Sequence, residues 1–126
     1  MTSLDQLANE ITRAVREYTE DVADSIGKRV DEVADLIRED AAANAPERTG
    51  KYRKGFTKTK QDSFGATRRI VWNKKAFRRV HLLEFGHALK GGGRVPGRPH
   101  LRPAYDKYAG NLADDIKRII RNGGGL

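Results

Sequence analysis

The most regularly patterned part of the chain is residues 3–46, which read SLDQLANEITRAVREYTEDVADSIGKRVDEVADLIREDAAANAP. Apolar side chains recur there about every 3.7 residues on average, close to the period of an α-helix. They stand at Leu4, Leu7, Ile11, Val15, Tyr18, Val22, Ile26, Val30, Val33 and Ile37. Pro46 has no backbone N–H and ends the pattern. We therefore predict a long acidic helix over residues 1–45.

This predicted helix is too long for the rest of the chain to cover. A helix of about 40 residues extends about 60 Å, whereas a compact domain of about 100 residues has a radius of gyration of about 13 Å. Either the helix folds back at Gly27, where glycine costs about 1 kcal/mol relative to alanine, or another subunit covers its apolar stripe. We favour the second arrangement. It predicts a subunit interface at Leu4, Leu7, Ile11, Val15, Tyr18, Val22 and Ile26.

The charge of the chain is divided unevenly. The 126 residues have a formal net charge of +8, yet residues 1–45 carry five Lys or Arg against eleven Asp or Glu, and residues 46–126 carry twenty against six. Unlike charged faces on one subunit allow its copies to associate head to tail. The dense positive charge of residues 47–102 can also hold phosphate groups without reading bases.

The remainder of the chain indicates a small sheet and a second helix. Threonines, β-branched residues and aromatics predict a β-hairpin at about 55–61 and 67–73. We interpret the following segments as a short helix or strand at 76–86, a glycine-rich loop at 87–98, a final helix at 103–121 and a flexible tail at 122–126. The predicted fold class is α+β: a long N-terminal helix with Gly27 as a potential kink, a small antiparallel β-sheet within the basic region 46–102, and a C-terminal helix. The length fits a single domain over residues 1–126.

Composition and motifs exclude several classes of protein. The chain has no cysteine, so it forms neither disulfides nor thiolate metal sites. It lacks the basic start and apolar run of a signal peptide, and no apolar stretch reaches the roughly 18 residues of a membrane-spanning helix. We therefore expect a soluble protein made inside a cell. The three serines lie in no nucleophile motif, so we predict neither an enzyme nor a bound cofactor.

The segment with the most catalytic potential is HLLEFGH at residues 81–87. On a helix, His81 and Glu84 could share a metal ion, to which His87 or His100 could add a ligand. That arrangement would suit a metal-dependent nuclease, whose cleavage a chelator abolishes. However, Gly86 would break the helix before His87. A surface histidine and a glutamate paired with a nearby arginine are the simpler interpretation, and we predict no metal site.

Two motifs together resemble a known family. The first is APERTGKYR at residues 45–53, and the second is LEFG at 83–86, followed after a glycine-rich gap by RPHLRPA at 98–104. In this order they resemble the tail-completion (neck) family of long-tailed bacteriophages, also labelled tail components, minor capsid proteins or head–tail connectors. The resemblance gives structural roles to Pro46, Thr49, Gly50, Glu84, Phe85, Gly86, Arg98, Pro99, Leu101 and Pro103. The chain departs from the family pattern at His87, often a small hydroxyl residue, and at His100, commonly an aromatic.

The resemblance implies a structural virion protein that forms a homo-oligomeric ring at the head–tail junction, around the channel through which DNA passes. Its partners would be copies of itself, neighbouring head-closure or connector proteins, tail-terminator or tail-tube proteins and, non-specifically, genomic DNA. It would lie in the virion neck, assembled in the host cytoplasm without membrane contact. Basic residues facing the DNA channel or partners would be Lys58, Lys60, Arg68, Arg69, Lys90 and Arg94. The alternative is a stand-alone, sequence-nonspecific nucleic-acid-binding protein, whose affinity for DNA falls steeply with salt.

Overall fold

The computed structural model describes residues 3–46, 50–63 and 67–125. Its dominant element is helix α1, Ser3–Asn44, which is 42 residues long and extends about 63 Å at 1.5 Å per residue. The helix runs through Gly27 without a break, so the alternative in which it folds back there is wrong. The apolar stripe continues past Gly27 into the core, and its burial outweighs the cost of one glycine, which is about 1 kcal/mol.

A β-hairpin packs against the second half of α1. The short helix α2, Lys51–Lys54, leads through Gly55 into β1, Phe56–Lys60, which pairs antiparallel with β2, Arg69–Asn73. The predicted hairpin is thus confirmed. Antiparallel pairing sets alternate side chains on opposite faces, and one face of this hairpin lies on α1.

Residues 87–98, expected to be a loop, contain a second two-stranded sheet. After β2, the chain forms a 3-10 helix, Phe77–Arg79, and helix α3, Val80–Phe85. Strand β3, Gly86–Ala88, then pairs antiparallel with strand β4, Arg94–Pro96. Gly92 and Gly93 have positive φ angles of 100° and 82°, and the N–H of Leu89 donates to the carbonyl of Gly93 at 3.0 Å. The loop prediction is wrong because these glycines supply the backbone angles of a tight hairpin turn.

The C-terminal part forms two helices where the sequence predicted one over 103–121. Helix α4 is Leu101–Ala109 and helix α5 is Leu112–Arg121. Pro103 lies in the first turn of α4, where its missing N–H has no intrahelical partner to lose. The break between the helices lets α5 run beside α1, where Nε of Arg29 donates to Asp115 at 2.9 Å.

The end of the chain also returns to α1. The hydroxyl of Tyr18 donates to the carbonyl of Ile120, and the hydroxyl of Ser25 donates to the carbonyl of Gly124. Over residues 122–125, the segment expected to be a flexible tail therefore lies along the first helix.

The core lies on the second half of α1. Its buried cluster contains Val33, Ile37, Ala41, Ala45, Tyr52, Phe56, Ala76 and Ala104. Ala41 and Ala104 are almost completely buried, and their small side chains allow the backbones of α1 and α4 to approach closely. The first half of α1 contributes no residue to this cluster.

Candidate interaction surface and the core that supports it

A buried carboxylate at the end of α3 caps the start of α4. Oε1 of Glu84 accepts the backbone N–H groups of His100 and Leu101 at 3.0 Å, and Oε2 accepts that of Arg102 at 3.1 Å. These N–H groups have no intrahelical partner, and a negative charge is favourable at a helix N-terminus. Burial alone would raise the pKa of Glu84, but the three N–H donors hold it below its usual value. Glu84 therefore fixes where α4 begins.

His100 joins this cap to the aromatic core. Its Nδ1 lies 2.9 Å from the carbonyl of Arg98, and its Nε2 lies 2.6 Å from the hydroxyl of Tyr52. A carbonyl oxygen can only accept, so Nδ1 carries the proton and Nε2 accepts from the tyrosine. The imidazole also packs edge-on against Tyr52 and Phe56, with ring centroids 5.3 and 5.8 Å away. His100 thus packs as an aromatic ring at a position where phage tail-completion proteins, which the chain resembles, commonly have an aromatic residue.

Asn73, which the sequence analysis did not single out, connects the hairpin to the same core. Its buried side chain donates to the carbonyl of Tyr52 at 2.6 Å and accepts the backbone N–H groups of Lys75 and Ala76 at 3.1 and 2.8 Å. An asparagine that ends a strand and precedes polar residues is typical of such turns. That local pattern could have identified it.

Two glycines bring the second hairpin against the end of α3. Gly86 has a φ of 80°, and a Cβ there would collide with the carbonyl oxygen of Val95. A Cβ on Gly97 would stand 2.5 Å from the carbonyl carbon of Phe85. The N–H of Arg98 then donates to the carbonyl of Leu83 at 2.7 Å. The Leu-Glu-Phe-Gly and Arg-Pro motifs are therefore one packed unit, which the sequence order alone did not reveal.

The other motif residues lie around this unit. Pro46 and Leu101 are half-buried, and Leu101 packs against the core cluster. Gly50 has a φ of 78° and precedes α2. Pro99 and Pro103 are exposed. Thr49 lies outside the described residues.

The first half of α1 projects as an exposed arm, which we define as Leu4–Asp21 and which the end of α5 contacts at Tyr18. Every residue of the arm is exposed. Its apolar stripe consists of Leu4, Leu7, Ile11, Val15 and Tyr18, which are 75, 52, 55, 59 and 45% exposed. Val22 and Ile26, farther along the same stripe, are half-buried. The part of the stripe that the sequence predicted as a subunit interface is thus open over its first five residues.

A second apolar surface is a groove of about 810 Å³. It lies between the second half of α1, strand β2, helix α3 and helix α4. Its apolar lining includes Val30, Val33, Ile37, Val71, Val80 and Leu112. Phe77, Phe85 and Tyr105 stand at its mouth and are 56, 69 and 59% exposed. Exposed aromatic side chains around a concave apolar surface are typical of an interaction site.

The six basic residues proposed to face DNA or partners divide into two groups. Lys60, Arg68 and Lys90 are exposed, and Arg94 donates to the carbonyl of Phe85 at 2.8 Å. Lys58 and Arg69 instead pair with acidic residues of α1 and, for Arg69, with Asp62 between the two strands. The channel-facing role of all six stays a prediction.

An ion-pair network ties the hairpin to α1. Nε of Arg69 and Nζ of Lys58 lie 2.8 and 2.9 Å from Oδ1 of Asp31. Lys58 also lies 2.9 Å from Asp35, and Arg69 lies 2.5 Å from Asp62. Hydrogen bonds from Arg69 and Lys58 lower the pKa of Asp31 from 3.8 to about 2. Part of the positive charge of the hairpin is therefore neutralised within the subunit.

The residues considered as metal ligands, His81, Glu84, His87 and His100, do not form a metal site. Glu84 uses both oxygens to cap α4, while His81 is exposed at the groove. Over residues 3–46, 50–63 and 67–125, no group of three His, Asp or Glu side chains is arranged to hold a metal ion.

A small α+β body that carries an uncovered apolar arm and an open apolar groove has the architecture of an assembly subunit. The family model described as "Bacteriophage HK97-gp10, putative tail-component" matches residues 9–86, which is more than half of the chain. The chain therefore belongs to the HK97-gp10-like family of phage tail components, and the resemblance to phage tail-completion proteins is confirmed. The match includes most of the arm, the first hairpin and the Glu-Phe-Gly motif. Neither a curated protein nor a solved structure matched the chain.

Membership of this family makes the chain a structural component of the phage virion that contacts other phage structural proteins. Membership of a family of tail components implies a structural rather than an enzymatic role. In the described part of the chain, no helix is long and apolar enough to cross a membrane.

Proposed function

We propose that this protein is a ring-forming neck or tail-completion subunit, which joins the phage head to the tail around the DNA channel. The observation that carries the proposal is the arm, because five large apolar side chains on one face of a rigid helix stay exposed in the subunit. Removing apolar surface from water contributes about 25 cal/mol per Å². Association with other copies would bury this stripe.

The distribution of charge supports a ring with an aqueous channel. The exposed cations Lys60 and Arg68 lie near the tip of the first hairpin, and Lys90 lies in the turn of the second. Cations on hairpin tips can line a channel and screen DNA phosphates without reading its sequence. Unlike surfaces on one subunit also suit the head-to-tail contacts of a closed ring. The faces above and below such a ring would contact head-closure or connector proteins and tail-terminator or tail-tube proteins.

The test is the oligomeric state of the full chain, alone and in assembled particles. Native mass spectrometry should detect a closed oligomer, and electron microscopy should place it as a ring between head and tail. Ile11→Lys should abolish ring formation, because it puts a charge in the centre of the stripe. Asn9→Lys is the matched control, since it adds the same charge to the polar face of the arm.

Two results would count against the proposal. A chain that is monomeric both in solution and on the particle would exclude a ring. A monomer that binds DNA in solution, with an affinity that falls steeply with salt and is indifferent to Ile11→Lys, would favour the stand-alone nucleic-acid-binding alternative.

A further inference from the structure

The same chain carries two apolar surfaces that it leaves uncovered: the stripe of the arm and the groove. They lie on different parts of the subunit, because the arm is Leu4–Asp21 whereas the groove is lined by the stretch of α1 from Val30 to Ile37. Monomeric proteins seldom expose two large apolar surfaces without a partner for each.

The arm cannot enter the groove of its own subunit. Both surfaces belong to α1, and α1 is one uninterrupted helix from Ser3 to Asn44. Folding the arm back would break the helix near Gly27. It would also release the hydrogen bonds from Tyr18 to Ile120 and from Ser25 to Gly124. An occupant of the groove must therefore come from outside the subunit.

The arm matches the groove in length and chemistry. Leu4, Leu7 and Ile11 follow the spacing with which an amphipathic helix anchors in an apolar groove. The seven steps from Leu4 to Ile11 extend about 10.5 Å, as do the seven steps from Val30 to Ile37 along the groove wall. The aromatic rings at the mouth offer flat apolar surfaces to the flanks of an inserted helix.

The charge of the arm favours the groove over a second arm. The arm carries five Asp or Glu against two Arg. Three arginines line the groove, of which Arg69 pairs with Asp31 and Asp62, and Arg102 pairs with Asp106. The third, Arg68, is exposed and can pair with a carboxylate of an inserted arm, and complementary charges steer association. Arm-to-arm pairing would instead bring two acidic segments together.

We propose that the arm of one copy docks in the groove of the next copy. Because each subunit offers both an arm and a groove, the contact is heterologous and repeats from copy to copy until a ring closes. This inference rests on the proposed self-association and specifies which surfaces form it.

Site-specific crosslinking tests this contact directly, because the chain has no cysteine of its own. One preparation carries Ile11→Cys in the arm, and a second, of distinguishable mass, carries Tyr105→Cys at the mouth of the groove. Both positions are exposed, so both variants should fold normally. The two full-length preparations are mixed, allowed to associate and treated with a short bis-maleimide crosslinker.

The expected result is a mixed dimer that joins the two masses. Asn9→Cys, on the opposite face of the arm, should give a yield at least about tenfold lower with Tyr105→Cys. Adding Phe77→Asp to the Tyr105→Cys preparation should also lower the yield about tenfold, the effect of losing about 1.4 kcal/mol at an anchor position. Circular dichroism would confirm that Phe77→Asp leaves the fold intact.

Other outcomes separate the inference from the proposed function. Crosslinking between two Ile11→Cys chains, without the mixed product, would show arm-to-arm pairing and overturn the inference while self-association stands. If native mass spectrometry detected association but neither crosslinked dimer formed, the inference would also be overturned, because another surface must then hold the copies together. Absence of both crosslinking and association, in solution and on particles, would overturn both.

Discussion

Glu84 and His100 lie sixteen positions apart, and the carboxylate of the first accepts the backbone N–H of the second at 3.0 Å. Nε2 of His100 then accepts a hydrogen bond from the hydroxyl of Tyr52. One chain of hydrogen bonds thus runs from α3 through the start of α4 to α2. It orients the walls of the groove, since α3 and α4 form two of its sides.

The cap on α4 should be important for stability. Glu84→Gln keeps the shape of the side chain but removes the charge and one of the two acceptor oxygens. We expect the free energy of unfolding to fall by about 2 kcal/mol, the range for hydrogen bonds to charged groups. Urea denaturation would measure it. Glu39→Gln is the control, because Glu39 is exposed, and it should change stability by less than about 0.5 kcal/mol. Equal stability of the two variants would contradict the capping role.

The buried hydrogen bond between Tyr52 and His100 gives a second prediction. Tyr52→Phe leaves Nε2 of the histidine without that donor in a buried site, so it should destabilise the protein by about 1–3 kcal/mol. Thermal unfolding would report the loss. Tyr105→Phe, at an exposed tyrosine, provides the comparison and should have little effect. If Tyr52→Phe were as stable as the wild type, the hydrogen bond to His100 would contribute nothing to the stability of the fold.

Two glycines should respond to alanine in opposite ways. A Cβ at Gly27 would meet its nearest neighbour at an ordinary contact distance of 3.6 Å, so Gly27→Ala should raise the free energy of unfolding by up to about 1 kcal/mol. Gly86→Ala should lower it, because φ is 80° and the Cβ would collide with the backbone of Val95. Chemical denaturation of both variants would show the difference in sign. A loss of stability in Gly27→Ala would mean that the helix requires a glycine there.

The ion pairs of Asp31 predict a dependence on pH. Its pKa is lowered from 3.8 to about 2 by Arg69 and Lys58, so the folded state binds protons less readily than the unfolded state. The stabilisation is complete above pH 4 and is lost as the pH falls from about 4 toward 2. Asp31→Asn should therefore flatten the stability profile in this window, measured by denaturation at a series of pH values. Asp5→Asn, in the exposed arm, should leave the profile unchanged. If the loss of stability between about pH 4 and pH 2 were the same in Asp31→Asn as in the wild type, the ion pairs of Asp31 would not be the cause of that loss.

The two halves of the apolar stripe should differ in what they stabilise. Ile37→Ala removes a buried side chain and should cost the subunit about 2–5 kcal/mol. Ile11→Ala removes an exposed side chain and should change subunit stability by less than about 0.5 kcal/mol, while weakening assembly. Unfolding under monomeric conditions, together with native mass spectrometry, would separate the two effects. A large loss of monomer stability in Ile11→Ala would show that the arm is packed within the subunit.

Several features were predictable because they depend on residues close together in the chain. The spacing from Leu4 to Ile37 predicted the long helix, and strand-forming residues with turn signals between them predicted the first hairpin. The second hairpin was missed because its strands are only three residues long, and its glycines indicate a loop as well as a tight turn. The break at Gly110 was missed because the stripe of the last helix continues across it.

The candidate site was predictable only in part. The sequence predicted the stripe as a subunit interface, but it did not indicate the groove, whose walls come from elements far apart in the chain. It named Glu84 as a motif residue without its role, because a cap that acts across sixteen positions exists only once α3 meets α4. It also could not indicate that Lys58 and Arg69 pair with Asp31 within the subunit, and their predicted role at a DNA channel or a partner stays a prediction.

By itself, the sequence determined that the first helix has more apolar surface than the chain can cover. Helical period and length are local properties, and the number of residues left to bury the stripe follows from counting. Tertiary structure alone decided which half stays open. Because α4 and the first hairpin pack on the second half of α1, and α5 extends along α1 as far as Tyr18, the arm from Leu4 to Asp21 remains exposed, and the groove forms on the body beside the buried half.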